Sequence, residues 1–293
     1  MNDQAARLRQ MAHQTITKAQ KPLLTRGRSI AVTSGKGGAG KTNFVVNLAV
    51  VLGRLGYQVI IFDADVGMAN ADILLGLYPK FTIIDVVRGE KRLEDIVMEG
   101  PMNVRMVPGG NGLGDLAAYP DLARQRLINA LEELESSADF LLVDTGAGAS
   151  KNILRYIGAA REVIVVVTPE PTSLTDAYSI IKLINRAKLQ ETVQVVVNQA
   201  RNLEEGAQAF TKLNSVAIRF LHTPLTNLGQ IGEDPLVRQA VREQIPFVLS
   251  HPNAPASRQV ELIAQKLAGM NPKTSESFWG KLSRFFSAGS SYE

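Results

Sequence analysis

The run Gly35-Lys36-Gly37-Gly38-Ala39-Gly40-Lys41-Thr42 has the residue types and spacing of a phosphate cradle. Glycines let the backbone close around phosphate oxygens with its N–H groups turned inward. A helix beginning at once after the run would add its positive end. Lys41 is spaced to reach β- and γ-phosphates, and Thr42 to offer a hydroxyl to Mg²⁺. A glycine-rich turn can match G-x-x-x-x-G-K-[ST] by chance. Here the run follows an apolar stretch, Ser29–Thr33, and precedes a helix-like one, Asn43–Leu55. That is the setting a P-loop requires.

Carboxylates recur where such a loop would need them. Phe140–Val143 is four apolar residues followed by Asp144. An acid at the C-terminal edge of a central strand faces the phosphate site, so Asp144 is expected to hold Mg²⁺ directly or through water. The following Thr145-Gly146-Ala147-Gly148 can flex. A second strand-like run, Val59–Phe62, ends in Asp63-Ala64-Asp65. A dinucleotide-binding fold would use such an acid on ribose, but its G-x-G-x-x-G loop is absent here. One aspartate at a strand end is usually a turn or cap residue. Three of them beside a P-loop point to a metal–phosphate site.

The elements that must position these residues are legible as apolar, β-branched runs. They are Ser29–Thr33, Val59–Phe62, Val104–Val107, Phe140–Val143, Val163–Val167 and Val193–Val197, with a weaker one near Gln230–Ile231. Several are apolar at successive positions, as strands are when both sheet faces are covered. Helical stretches lie between them, at Asn43–Leu55, Leu122–Leu134 and Asp176–Ala187. Strand–helix alternation predicts an α/β fold, a mainly parallel twisted sheet with helices on both faces. The length of 293 residues, 45% hydrophobic, suffices for one large core. We expect a leader at 1–28, the α/β domain at 29–270, and a linker with an appended helix at 271–293.

Composition removes other chemistries. With no cysteine, thiolate metal sites, iron–sulfur clusters and cysteine nucleophiles are excluded. The three histidines, His13, His222 and His251, do not cluster. A net charge of +4 is mild and argues for neither lipid nor nucleic acid. The N-terminus lacks the apolar region of a secretory signal, and no run approaches the ~18 apolar residues of a membrane span. A cytoplasmic protein is expected.

The loop Lys36-Gly37-Gly38-Ala39-Gly40-Lys41-Thr42 resembles the deviant Walker A of the MinD/ParA class of P-loop ATPases. The resemblance covers about residues 29–268. It implies Mg-ATP as the ligand, with Gly35 to Thr42 and Asn198 around it. It implies that Lys36 crosses a homodimer interface to the partner's phosphates, as an arginine finger would. Asp63 would lie near Mg²⁺ with Thr42 and Asp144, and Asp65 would orient the attacking water. Asn70 matches a switch position. Asn198 would read the adenine edge, and Ile231–Val237 would close over the base. The class often has proline where this chain has Gly232.

The two ends narrow the resemblance. Asp3-Gln4-Ala5-Ala6-Arg7-Leu8-Arg9 resembles the D-Q-A-x-x-L-R start of the FlhG family (also called FleN or YlxH), MinD-like regulators of flagellar number and placement. That implies that Asp3, Gln4, Leu8 and Arg9 contact an FlhF-like, signal-recognition-type GTPase and stimulate it. Flagellar switch-complex proteins or a flagellar transcription activator are further implied partners. In the tail, Phe278, Leu282, Phe285 and Phe286 share one helical face with Trp279 at its border, while Lys281 and Arg284 lie opposite. This suits a helix in an anionic lipid interface, on the inner face of the cell membrane. The bland alternative is a terminal helix docked on its own domain. A cell-division MinD or a DNA-binding ParA-type partitioning ATPase is the alternative function. The leader speaks against the first, and both ends speak against nucleic acid.

Overall fold

The computed structural model describes residues 27–65, 70–109, 120–269 and 277–287. Within them one eight-stranded sheet runs in the order β3-β4-β2-β5-β1-β6-β7-β8. The strands are β1 (Arg28–Ser34), β2 (Val59–Ala64), β3 (Met98–Glu99), β4 (Val104–Pro108), β5 (Phe140–Ala147), β6 (Glu162–Val167), β7 (Val193–Ala200) and β8 (Leu225–Gly232). All neighbours pair parallel except β3 with β4. β1 and β2 are buried from end to end and β6 at every residue after Glu162, which explains the apolar runs at their centres.

Helices cover both faces. On one lie α1 (Lys41–Arg54), α2 (Ala71–Leu75), α9 (Pro235–Glu243), α10 (Phe247–Ser250) and α11 (Pro255–Ala268). On the other lie α3 (Ile83–Val87), α4 (Leu93–Ile96), α5 (Asp121–Ser136), α6 (Lys151–Ala159), α7 (Pro171–Arg186), α8 (Leu203–Leu221) and α12 (Phe278–Ser287). Strand residues alternate between the two cores: Ile30 and Val32 face α1, and Ala31 faces away.

The sequence expectation missed the two-residue β3 and most of β8. It also began α7 at Asp176, whereas Pro171 starts it in the first turn. The larger difference is the tail. Phe278, Trp279 and Leu282, expected to face lipid, are 0%, 1% and 0% exposed, and Phe285 is partly buried. They sit between α5 and α6 as part of the main core. Trp279 packs edge-on to Phe62 of β2 at 4.9 Å between ring centroids. Glu135 accepts from the Phe278 N–H at 3.1 Å, holding the start of α12. An apolar helical face fits a groove as well as a bilayer, and here the groove has it. The side chain of Phe286 lies outside the described residues, as do Asp3, Gln4, Leu8 and Arg9.

Candidate nucleotide site

The glycine-rich loop joins the C-terminal end of β1 to the first turn of α1. Its shape depends on glycine at two points. Gly40 has φ +81°, and a Cβ there would stand 2.2 Å from Asn198 Nδ2. At Gly35 a Cβ would meet the backbone N of Ala177 at 2.5 Å, so the loop can rest on α7 only without a side chain. Lys41 is buried, with Nζ 2.7 Å from Asp144 Oδ1 and 3.4 Å from Thr42 Oγ1.

Register brings the acids together. Asp63 on β2 is the direct partner of Asp144 on β5, and Val32 on β1 pairs with Asp144 from the other side. Both carboxylates are buried. Burial first, and then the charge of Asp144, push the Asp63 carboxyl up to about 7. Asp144 is also raised, by burial, with Lys41 pulling the other way. Asp144 Oδ2 is buried with no hydrogen-bond partner. Two facing acids, one with an unpaired oxygen, beside the Thr42 hydroxyl form a donor set fitted to Mg²⁺. Such an ion would favour the ionised form of both groups against the burial that raises them.

Asp65 and Asn70 border the same cleft, of about 670 Å³, together with Gly37 to Thr42 and Ala147. The Asp65 N–H donates to Asp63 Oδ1 at 3.2 Å. Asp65 Oδ1 would be 3.3 Å from a Cβ at Gly146, so the ends of β2 and β5 adjoin here. The intervening 66–69 lie outside the described residues.

A second cavity, of about 180 Å³, continues the cleft from Gly40 and Asn43 to Asn198, Ile231 and Phe247. This suits a flat heterocycle beyond a phosphate chain. Asn198 Nδ2 donates to the Ala39 carbonyl at 2.9 Å, so it also braces the loop. Gln199, unnoticed in the sequence, does the same toward the Gly38 carbonyl at 3.2 Å. Gly232 is not forced by space, since its nearest contact would be 3.6 Å. Its N–H donates to Gln259 Oε1 at 2.7 Å, a bond that proline could not make.

Lys36 takes a separate course. Its Nζ pairs with Glu170 and lies 3.4 Å from Thr172 Oγ1, both at the start of α7. Neither partner was singled out in the sequence.

Known proteins resemble this chain over most of its length. An AAA-domain family model matches residues 27–197. The antiactivator FleN of Pseudomonas aeruginosa is 43% identical over 238 residues, covering 81% of this chain and 85% of that protein. The flagellum site-determining protein YlxH of Helicobacter pylori is 32% identical over 265 residues, covering 90% of each. Among solved structures, the septum site-determining protein MinD complexed with Mg-ADP from Pyrococcus horikoshii aligns with TM-score 0.67 and 28% identity, over 82% of this chain and 96% of that one.

Proposed function

This chain belongs to the MinD/ParA class of P-loop ATPases, with FleN and YlxH among its relatives, and we propose that it acts as an ATP-switched homodimer setting flagellar number and placement. It is an ATPase of that class and uses ATP and Mg²⁺. The flagellar role is supported by what the relatives' names say of them, an antiactivator and a site-determining protein.

The observation that carries the switch is the contrast between the two loop lysines. Lys41 lies inside the cradle against Asp144. Lys36 stands outside it, at the surface, on the start of α7. A lysine that does not serve its own cradle is available to a second copy. In this reading Lys41 and the loop N–H groups hold the phosphates, and the neighbouring protomer's Lys36 offsets charge that develops on them. Thr42, Asp63 and Asp144 would hold Mg²⁺, which when bound would offset the negative charge of the phosphates. Asp65 orients the attacking water, and Asn198 with the Ile231–Val237 segment takes the base. Hydrolysis removes the γ-phosphate on which both switch segments close, and the dimer parts.

Two finer elements belong to the same proposal. The leader, through Asp3, Gln4, Leu8 and Arg9, stimulates an FlhF-like GTPase. The tail attaches the dimer to an anionic membrane, and for that α12 must first leave its groove. Sedimentation of Asp65→Ala with Mg-ATP tests the switch. A persistent dimer with hydrolysis reduced about 100-fold or more is expected for a lost water-positioning group. Normal turnover by that variant would remove Asp65 from the mechanism. A pull-down of the GTPase with intact and leader-deleted protein tests the leader, and equal capture by both would exclude it.

A further inference from the structure

Glu170 is the N-cap residue of α7, yet its side chain makes no bond to the helix's first N–H groups. An acid at that position ordinarily accepts from the second or third amide. Here the carboxylate is drawn off to Lys36, 134 residues away in sequence. Thr172 Oγ1 stands 3.4 Å from the same ammonium. The base of the lysine is fixed too, because Ser34 Oγ donates to the Lys36 carbonyl at 2.9 Å. The first turn of α7 thus forms a holder for one ammonium group, and it gives up its own capping bond to do so.

We infer that Glu170 is a counterion within the protomer that retains Lys36 and thereby sets how readily two nucleotide-loaded copies pair. The inference rests on the proposed action of Lys36 across the dimer. One ammonium cannot sit on Glu170 and also on a second copy's phosphates. Each protomer must therefore break its Lys36–Glu170 pair before the sandwich closes. The pair is suited to breaking. Its side chains are 32% and 61% exposed, so water screens the attraction and can replace either partner. Exposed pairs of this kind are worth at most about a fivefold factor each. The weakest such pairs are worth about 1.4-fold and two must open per dimer, so the holder weakens dimerisation by about 2- to 25-fold in all. The consequence is a threshold: protomers without a bound triphosphate keep their lysines, and only the added attraction of a partner's phosphates draws them out.

The test is sedimentation velocity with Mg²⁺ and a non-hydrolysable ATP analogue on four proteins: wild type, Glu170→Gln, Lys36→Ala and the double variant. Glu170 is a surface residue outside the cradle, and equal thermal melts of all four without nucleotide serve as the folding control. Glu170→Gln is expected to tighten the dimer about 2- to 25-fold, with no such gain when Lys36 is already alanine. An unchanged or weaker dimer in Glu170→Gln overturns the inference while leaving the trans lysine standing. A tightening that persists in the double variant overturns it too, since Glu170 would then act through some other group. If Lys36→Ala alone dimerises as wild type does, the trans role itself falls, and the inference with it.

Discussion

Asp63 carries a cost that only its ligand removes. In an unfolded chain its carboxyl titrates near 3.8, and in the fold near 7, because it is buried and faces Asp144. Between those values the folded protein holds a proton that the unfolded chain releases. Stability from this group is therefore fully present below about pH 4 and is lost as pH rises toward 7. Each unit of pH within the window is worth up to about 1.4 kcal/mol. In nucleotide-free, magnesium-free buffer, wild type should lose urea resistance relative to Asp63→Asn between pH 5 and 8. A gap between the two proteins that stays constant over that range would contradict the burial argument. Saturating Mg-ATP should flatten the difference, since the cation favours the ionised carboxylate. At this scale the sequence revealed whatever is local in the chain: the loop, and an acid ending each of two strands. Glu170 and Gln199 stayed hidden because what they touch is 134 and 161 residues away.

Among the elements, the central strands were legible and the edges were not. A strand buried on both faces tends to be apolar at successive positions, as Val163–Val167 is, and its β-branched residues and short length mark it as strand. At the edge, β8 mixes Leu225, Thr226, Asn227 and Gly229, because only part of it is covered. The short α2, α3 and α4 hold four or five residues each, too few for a helical period to emerge. The tail is the opposite case: its period was clear and its partner was not. Nothing in Phe278–Ser287 says that α5 and α6 leave a groove of matching width, or that Gly158 lets the Phe285 ring come to 2.8 Å from where a Cβ would be. What holds the tail can be tested, because Trp279 is the only tryptophan in the chain. Glu135 is buried and receives the Phe278 N–H, so Glu135→Ala leaves that amide unpaired at a cost of about 1–3 kcal/mol. Emission should be blue-shifted in wild type and move to longer wavelength, with easier iodide quenching, in the variant. Identical spectra would mean that apolar packing alone secures the helix.

For the molecule as a whole, the tail and the nucleotide site rest on adjacent residues of one strand. Phe62, whose ring meets Trp279, precedes Asp63, whose carboxylate meets Asp144. The groove wall α6 begins at Lys151, three residues after the Thr145–Gly148 segment at the end of β5. If the proposed switch closes this segment on a γ-phosphate, the movement would reach the helix against which α12 rests. A ten-residue helix binds lipid weakly alone, and a dimer offers two at high effective concentration. With anionic vesicles carrying brominated acyl chains, Trp279 should therefore be quenched only when Mg-ATP and a dimer are both present. Lys36→Ala should leave it unquenched with ATP, because one released tail does not hold. Quenching that ignores nucleotide would separate lipid contact from the switch. No quenching at saturating Mg-ATP would assign the tail to the core alone, its apolar face serving the fold and not the membrane.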